Sequence, residues 1–241
     1  RYGPRVRARV LVLHAELILH YCCCFIAPLH MRVLLTHVPY LPAHTTPQHC
    51  YSIGGYHSGD PASPSFQQMI VRWFQFGAFC PLFRLHGHRA GGPPADTCGP
   101  TNGDNEVWNL APQQSHYDAI ADVMALRESL RGYVADINNV SVATGLPMMR
   151  SMALAFPRDP VAAADQAEAQ YMFGPAWLVA PVTAENATTW PVYLPALAGG
   201  ASWTYHWNGS AVAGSGWRSV DVSNIAHFPL FKRTDALARD A

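Results

Sequence analysis

The sequence has 241 residues, a formal net charge of zero and only 13% charged side chains. A chain without a basic field is a poor match for nucleic acid, so we exclude that class of partner. Its 49% of hydrophobic residues are enough for one large or two medium-sized cores. The six cysteines show no zinc-site spacing and indicate neither a metal site nor a compartment.

Residues 1–49 differ in pattern from the rest of the chain. Arginines precede an apolar run over residues 10–26, which contains His14, Glu16 and His20. The run lacks the small-residue cleavage site of a signal peptide, and a membrane helix would bury a carboxylate at high cost. A membrane-anchored protein is therefore the weaker alternative. We predict that this segment is foreign to the fold, either disordered or mistranslated.

The central stretch, residues 52–89, predicts a turn, a helix and a strand. Apolar residues at helical spacing predict a helix that starts at Ser65, with Gln68 as its capping-box partner, and ends before Pro81. Residues 81–85 then predict a buried strand. Arg84 and His86 are two residues apart and would point to the same face of that strand. His86 and His88 could also bind a metal, but without a third ligand this motif is weak.

A loop rich in Gly, Pro and Asn follows over residues 88–112 and contains Trp108. Residues 115–144 predict a helix, with a capping box from Ser115 to Asp118 and a possible break at Gly132. Gly145 is the predicted C-cap. Six short strand patterns separated by turns then predict a small β-sandwich, at residues 148–156, 177–183, 189–194, 202–207, 217–222 and 228–232.

Several of these stretches resemble glycoside hydrolase family 31, which contains α-glucosidases and α-xylosidases. The sequence RWFQFGAFCPLFRLHG, residues 72–87, resembles the family's last barrel helix and strand, in the aromatic-rich form of its α-xylosidase-like members. Residues 165–166 and 170–182 resemble the start of the β-sandwich that follows the barrel. Residues 147–152 and 156–159 fit between them in the expected order. The resemblance covers residues 52–233 and does not extend to residues 1–49.

The resemblance implies an α/β region followed by an all-β region. Residues 50–146 would form the end of a (β/α)8 TIM barrel, and residues 147–241 a small C-terminal β-sandwich. A whole barrel needs about 250 residues. The chain is therefore expected to be a C-terminal fragment, with residues 1–49 as a non-family N-terminal segment.

The resemblance also implies part of a sugar-binding site. His86 matches the family histidine that hydrogen-bonds the sugar, and Arg84 would contact the sugar or hold a neighbouring carboxylate. Trp108 lies in a stretch, Asn105 to Trp108, that is similar to a loop at the rim of the family's pocket. This tryptophan would either stack on a sugar or simply pack. Ser52 stands where the family has an aspartate, and a neutral hydroxyl is a weaker acceptor than a carboxylate.

The implied activity is retaining hydrolysis of terminal α-linked xylose or glucose, with a carbohydrate substrate and without a cofactor. Retention needs two carboxylates about 5–5.5 Å apart. The family's two aspartates lie in upstream segments that have no counterpart in this sequence. We therefore assign no catalytic residue and expect the isolated chain to be inactive. The alternative is a non-catalytic carbohydrate-binding or structural fragment.

Overall fold

The computed structural model describes residues 53–55, 63–85, 106–111, 113–164, 166–212 and 214–235. The segment 1–49 lies outside these residues, so its predicted disorder stays a prediction, as do the two proposed domain boundaries. Six helices and eight strands are described. The helices are α1 (Pro64–Gly77), α2 (Val107–Leu110), α3 (Gln114–Ser129), α4 (Arg131–Thr144), α5 (Met152–Ala155) and α6 (Pro160–Ala163). None of the described helices has the length and apolar character needed to cross a membrane.

Helix α1 buries the apolar face that the sequence predicted. Phe66, Ile70 and Phe74 lie in a cluster together with Ile53 and Ile120, here called the barrel-side core. The helix begins at Pro64 with Ser63 as its N-cap, two residues before the N-cap predicted at Ser65, because the proline ring fixes φ near the value of the first helical position. Ser65 is therefore inside the helix, and the predicted capping box was wrong.

Helices α3 and α4 together span residues 114–144, close to the helix predicted over residues 115–144. The interruption falls at Leu130, whose backbone leaves the helical range (φ −90°, ψ 7°), and not at Gly132. Ser115 lies within α3, and Gln113, the residue before the helix, makes no side-chain cap, so this capping box was also wrong. Gly145 ends α4 in the left-handed conformation (φ 76°), as predicted for a C-cap glycine.

The second half of the described chain is a β-sandwich of two antiparallel sheets. The strands are β1 (Met149–Ser151), β2 (Tyr171–Phe173), β3 (Trp177–Val179), β4 (Thr189–Leu194), β5 (Trp203–Tyr205), β6 (Ala211–Val212), β7 (Gly216–Asp221) and β8 (Leu230–Arg233). A six-stranded sheet has the order β1-β2-β3-β8-β5-β6, and β4 pairs with β7. The sandwich prediction is confirmed. Its first strand is shorter than predicted, because residues 152–155 form α5, and strands β2 and β6 were missed.

The six-stranded sheet is covered on both faces. Along β2, Tyr171 and Phe173 face a core shared with the helices, whereas Met172 faces the core between the two sheets. Strand β3 alternates in the same way, with Leu178 on the intersheet side. A strand buried on both faces shows no polar alternation in its sequence. This explains why β2 and β3 read as continuous apolar runs.

Side chains from the helices bind backbone carbonyls across the boundary to the sandwich. The guanidinium of Arg72 donates to the carbonyls of Val222 (2.9 Å) and His227 (2.7 Å). The Gln75 amide donates to the carbonyl of Ile225 at 2.7 Å. Because these contacts satisfy the polar atoms of the 222–227 loop, α1 and the sandwich are joined as one packed body.

Tyr133 of α4 makes a second junction. Its hydroxyl donates to the carbonyl of Phe173 (2.7 Å) and accepts from the backbone amide of Ala176 (3.1 Å). The turn between these residues contains Gly174 (φ 58°), and a Cβ there would collide with Tyr133 and Ile137. Glycine is therefore required for the close approach of α4 to the β2–β3 turn.

Candidate functional site

The structure places two parallel strand ends side by side. Ile53 and Leu85 form a parallel bridge, and the amide of Ile53 donates to the carbonyl of Arg84 at 2.9 Å. The predicted strand over residues 81–85 is thus limited to this bridge, and it is less buried than predicted. Ser52 directly precedes Ile53 and His86 directly follows Leu85, but both lie outside the described residues. Their roles stay predictions.

The turn after Ile53 has the conformation that its glycines suggested. Gly54 (φ 86°) and Gly55 (φ 63°) both lie in the left-handed region. A Cβ on Gly55 would lie 3.4 Å from the indole of Trp73 in α1. The glycine pair therefore allows the chain to turn sharply and to stay close to the helix.

Helix α1 supports both strand ends from one side. Gly77, its last residue, leaves no room for a side chain, since a Cβ would lie 2.6 Å from Cδ1 of Ile53 and 3.3 Å from Phe83. Ile53 is fully buried, and Phe83 and Leu85 pack against the same barrel-side core. The helix end thus fixes the height and orientation of the bridge.

Arg84 occupies the other face of this short extended segment. Its neighbours Phe83 and Leu85 contact the barrel-side core, whereas the Arg84 side chain is exposed. Alternation along an extended chain explains the difference, since successive side chains point to opposite sides. The arrangement presents a cation on the face opposite the supporting helix, where a polar ligand is within its reach.

Trp108 lies on the short helix α2 and is 62% exposed. The neighbouring Val107 packs on the barrel-side core and Ala111 is fully buried, so α2 is anchored at both ends. The indole of Trp108 faces solvent. Packing within the described residues does not account for this tryptophan. The two interpretations, stacking on a sugar and packing, stay predictions. Glu106, which precedes α2, is half-buried.

Sequence reasoning missed Arg72, which fixes the helix that supports the site. Burial lowers the pKa of Arg72 to about 10, because the charged guanidinium has little contact with water. Arg127 plays a similar part, donating to the carbonyls of Ala78 (2.7 Å) and Pro81 (3.0 Å) just before the strand end. Burial also lowers the pKa of Arg127. The sequence did contain one indication of the role of Arg72, since it is a charged residue among the apolar residues of α1.

The described part of the site contains donors and an aromatic surface. Among the described residues, no cluster of three or more His, Cys, Asp or Glu side chains is positioned to hold a metal ion. Arg84 can donate hydrogen bonds to hydroxyl or carboxylate oxygens, and Trp108 can contact the apolar face of a ring.

Two family models match the chain. The TIM-barrel domain of glycosyl hydrolases family 31 matches residues 31–137, and the C-terminal domain of glycosyl hydrolase family 31 matches residues 145–237. α-Xylosidase A of Aspergillus niger is 34% identical over 184 residues, which are 72% of this chain and 24% of that enzyme. Human neutral α-glucosidase AB is 35% identical over 128 residues, which are 53% of this chain and 12% of that protein.

A solved structure is similar as well. The crystal structure of a family 31 α-xylosidase from a soil metagenome, complexed with xylose, matches this chain with a TM-score of 0.66 and 35% sequence identity. The similarity covers 78% of this chain and 28% of that one. The chain thus spans about a quarter of the length of the α-xylosidases that it matches.

Proposed function

Because this chain belongs to glycosyl hydrolase family 31, we propose that it supplies the C-terminal side of the sugar-binding cleft of a retaining α-glycosidase. The substrate class is a carbohydrate that ends in α-linked xylose or glucose, as the names of the α-xylosidase and α-glucosidase relatives suggest. The parallel bridge between Ile53 and Leu85 carries the proposal. In (β/α)8 barrels the active site is built at the carboxyl ends of such parallel strands.

Each residue of the cleft has a proposed role that follows from its chemistry. Arg84 donates to a sugar hydroxyl or orients a carboxylate that reacts with the sugar. His86, the residue that follows Leu85, hydrogen-bonds a hydroxyl of the bound sugar. Trp108 stacks on a sugar ring at the rim, and Ser52 contributes a neutral hydroxyl in place of a carboxylate.

The proposal assigns binding, and not nucleophilic attack, to this chain. Retaining hydrolysis proceeds through a covalent glycosyl-enzyme intermediate and needs a carboxylate nucleophile together with an acid/base carboxylate. The sequence offers no counterpart of the two family segments that carry them. The purified chain is therefore expected to turn over neither an aryl α-xyloside nor an aryl α-glucoside above the rate in buffer.

The test joins this chain to a barrel that has its catalytic groups. Residues 50–241 replace the matching C-terminal part of Aspergillus niger α-xylosidase A, and turnover of both aryl α-glycosides is measured. We expect hydrolysis of at least one of them. His86→Ala in the joined protein should lower kcat/KM by about 100-fold, as for loss of one transition-state hydrogen bond. Ser52→Asp should raise it.

The control is Arg131→Ala on the exposed surface of α4, which should leave kcat/KM unchanged. Circular dichroism and gel filtration establish that each joined protein is folded. A folded protein that hydrolyses neither substrate contradicts the proposal. Folded protein that binds xylose without turnover would favour the non-catalytic alternative.

A further inference from the structure

The outer face of the two-stranded sheet carries an exposed aromatic side chain. The pairing of β4 with β7 places Tyr193 opposite Trp217, Pro191 opposite Ser219 and Thr189 opposite Asp221. The alternate residues Val192 and Leu194 face the intersheet core. Apart from Tyr193, the first set is exposed. This face is therefore open to solvent along β7 and the start of β4, whereas at Tyr193 it is buried in the same core cluster as Val192 and Leu194.

Trp217 is held in place but is not covered. Its ring packs against that of Tyr193, with centroids 5.5 Å apart and an angle of 56° between the planes. Tyr193 is only 7% exposed, and its hydroxyl donates to the carboxylate of Asp159 at 2.9 and 3.0 Å. Trp217 is 48% exposed. The rigid tyrosine thus fixes one edge of the indole and leaves the rest open to a ligand.

The groups around Trp217 are polar and carry no excess of positive charge. Asp159 lies at the far end of Tyr193, and its neighbour Arg158 is exposed. Asp221 lies further along the same strand, whereas Arg218 is paired with Val192 and belongs to the alternate set of residues. Two carboxylates and one guanidinium group offer both hydrogen-bond donors and acceptors.

This combination matches one kind of ligand. An anionic ligand would require a net positive surface, which is absent from the described residues of this face. A specific protein partner would bury about 800 Å² on each side, and one exposed indole on a polar strip offers little apolar area. A neutral, hydroxyl-rich chain can place a ring on the indole and its hydroxyls on the flanking charges.

We propose that Trp217 is the platform of a second carbohydrate site, on the outer face of the β4–β7 sheet. Asp159 lies on one side of it, at the far end of Tyr193, and Ser219 and Asp221 follow it along β7. The site holds a neutral oligosaccharide. The kind of sugar expected there rests on the proposed function, whereas the position of the site rests on the exposure and packing of Trp217. Such a site would keep a polymeric substrate attached while its end occupies the cleft.

The competing explanation for Trp217 is purely structural. A cross-strand aromatic pair stabilises a sheet by roughly 0.2–1 kcal/mol. Trp217→Phe retains such a pair with Tyr193, whereas Trp217→Ala removes it. The melting temperature of each variant measures what Trp217 contributes to stability, and its affinity for polysaccharide measures what Trp217 contributes to binding. The two explanations are therefore tested separately.

The test is electrophoresis of the 241-residue chain in native gels that contain soluble xyloglucan or dextran. We expect retardation of the wild type by at least one polysaccharide. Trp217→Ala should weaken binding about fivefold to tenfold, and Trp217→Phe less, because loss of one aromatic contact costs of the order of 1 kcal/mol. Tyr117→Ala, which removes an exposed aromatic ring from α3, is the control and should bind as the wild type does.

The possible outcomes separate this site from the cleft. If Trp108→Ala abolishes retardation and Trp217→Ala does not, binding occurs in the cleft and the sheet site is overturned. Absence of retardation in the wild type with both polysaccharides also overturns it. The result is independent of turnover in the joined protein, so an inactive joined protein with Trp217-dependent retardation would refute only the catalytic proposal.

Discussion

The sandwich and the barrel end position their extended segments by different means. In the sandwich, each strand of the six-stranded sheet is hydrogen-bonded along its length to a neighbour, as in the three-residue ladders of β2 with β1 and β3. Among the described residues of the barrel end, a single bridge joins Ile53 to Leu85. Side-chain contacts, several of them to the sandwich, add to this pairing.

Those links are mostly buried donors bound to carbonyls. Arg72 and Gln75 bind the 222–227 loop, Arg127 binds the segment before Leu85, and Tyr171 donates to the carbonyl of Phe79 at 3.1 Å. A buried carbonyl that lacks a hydrogen-bond donor costs free energy. Because packing of the helices on the sandwich excludes water from these carbonyls, each of them needs the side-chain donor that binds it. The sandwich thus holds the cleft residues in place and is more than an appended domain.

The largest effect should follow loss of the Arg72 contacts. Arg72→Met leaves the buried carbonyls of Val222 and His227 without their donor, and we expect a loss of about 3–4 kcal/mol in the free energy of unfolding. Urea denaturation measures it. Arg131→Met is the matched control, since Arg131 pairs only with exposed Glu128 and should cost less than about 0.5 kcal/mol. Equal effects of the two changes would show that the boundary does not depend on buried donors.

A second change tests whether α1 sets the height of the Ile53–Leu85 bridge. Gly77→Ala forces a Cβ to within 2.6 Å of the Ile53 side chain. We expect a loss of about 1–3 kcal/mol, because the added methyl must displace the side chain of Ile53, which is fully buried. Gly132→Ala in α4 meets nothing within 4 Å and should instead stabilise by about 0.5–1 kcal/mol through its higher helix propensity. Thermal unfolding of the two variants should shift in opposite directions.

A smaller effect is expected at the junction of α4 with the sandwich. Tyr133→Phe removes the donor to Phe173 and the acceptor for Ala176 but keeps the ring in the shared core. The expected loss is about 1–2 kcal/mol. Tyr117→Phe on exposed α3 should change stability by less than about 0.5 kcal/mol. If Tyr133→Phe were equally neutral, water would replace the hydroxyl at this junction.

The sequence predicted elements whose cause is local, and it missed those set by tertiary contact. Helix α1 and the C-cap at Gly145 follow from apolar spacing and from glycine's access to a left-handed conformation. The capping boxes at Ser65 and Ser115 were wrong because neither helix begins with a side-chain cap. Strand β2 was missed although it is as fully buried as β3, whose apolar run was predicted as a strand.

The candidate site shows the same division. Alternate spacing along an extended segment was enough to place Arg84 on the open face. The exposure of Trp108 and the role of Arg72 depend on which surfaces meet. The carbonyl partner of Arg72 at Val222 lies 150 residues further along the chain. The residues around Arg72 in the sequence contain no information about that contact. The sequence therefore showed only a charged residue on an apolar helix face.

The smallest predicted effect concerns pH and arises within the sandwich. Burial, followed by the nearby Lys232, lowers the pKa of His206 from its usual value near 6.5. The unfolded chain therefore takes up a proton at this position at higher pH than the folded chain does. The contribution of His206 to stability is complete above about pH 6.5 and is lost as the pH falls through the folded-state pKa.

His206→Gln removes this proton uptake, and the variant should lose less stability than the wild type between about pH 7 and pH 5. Lys232→Met acts on the second cause alone, so it should raise the His206 pKa seen by NMR titration without restoring the usual value, because burial persists.

His116, whose pKa is lowered by burial and then by Arg72, adds a separate contribution of the same sign from the barrel end. His116→Gln should therefore flatten the remaining slope in the His206→Gln background, and an unchanged slope there would mean that the acid sensitivity lies in the sandwich alone.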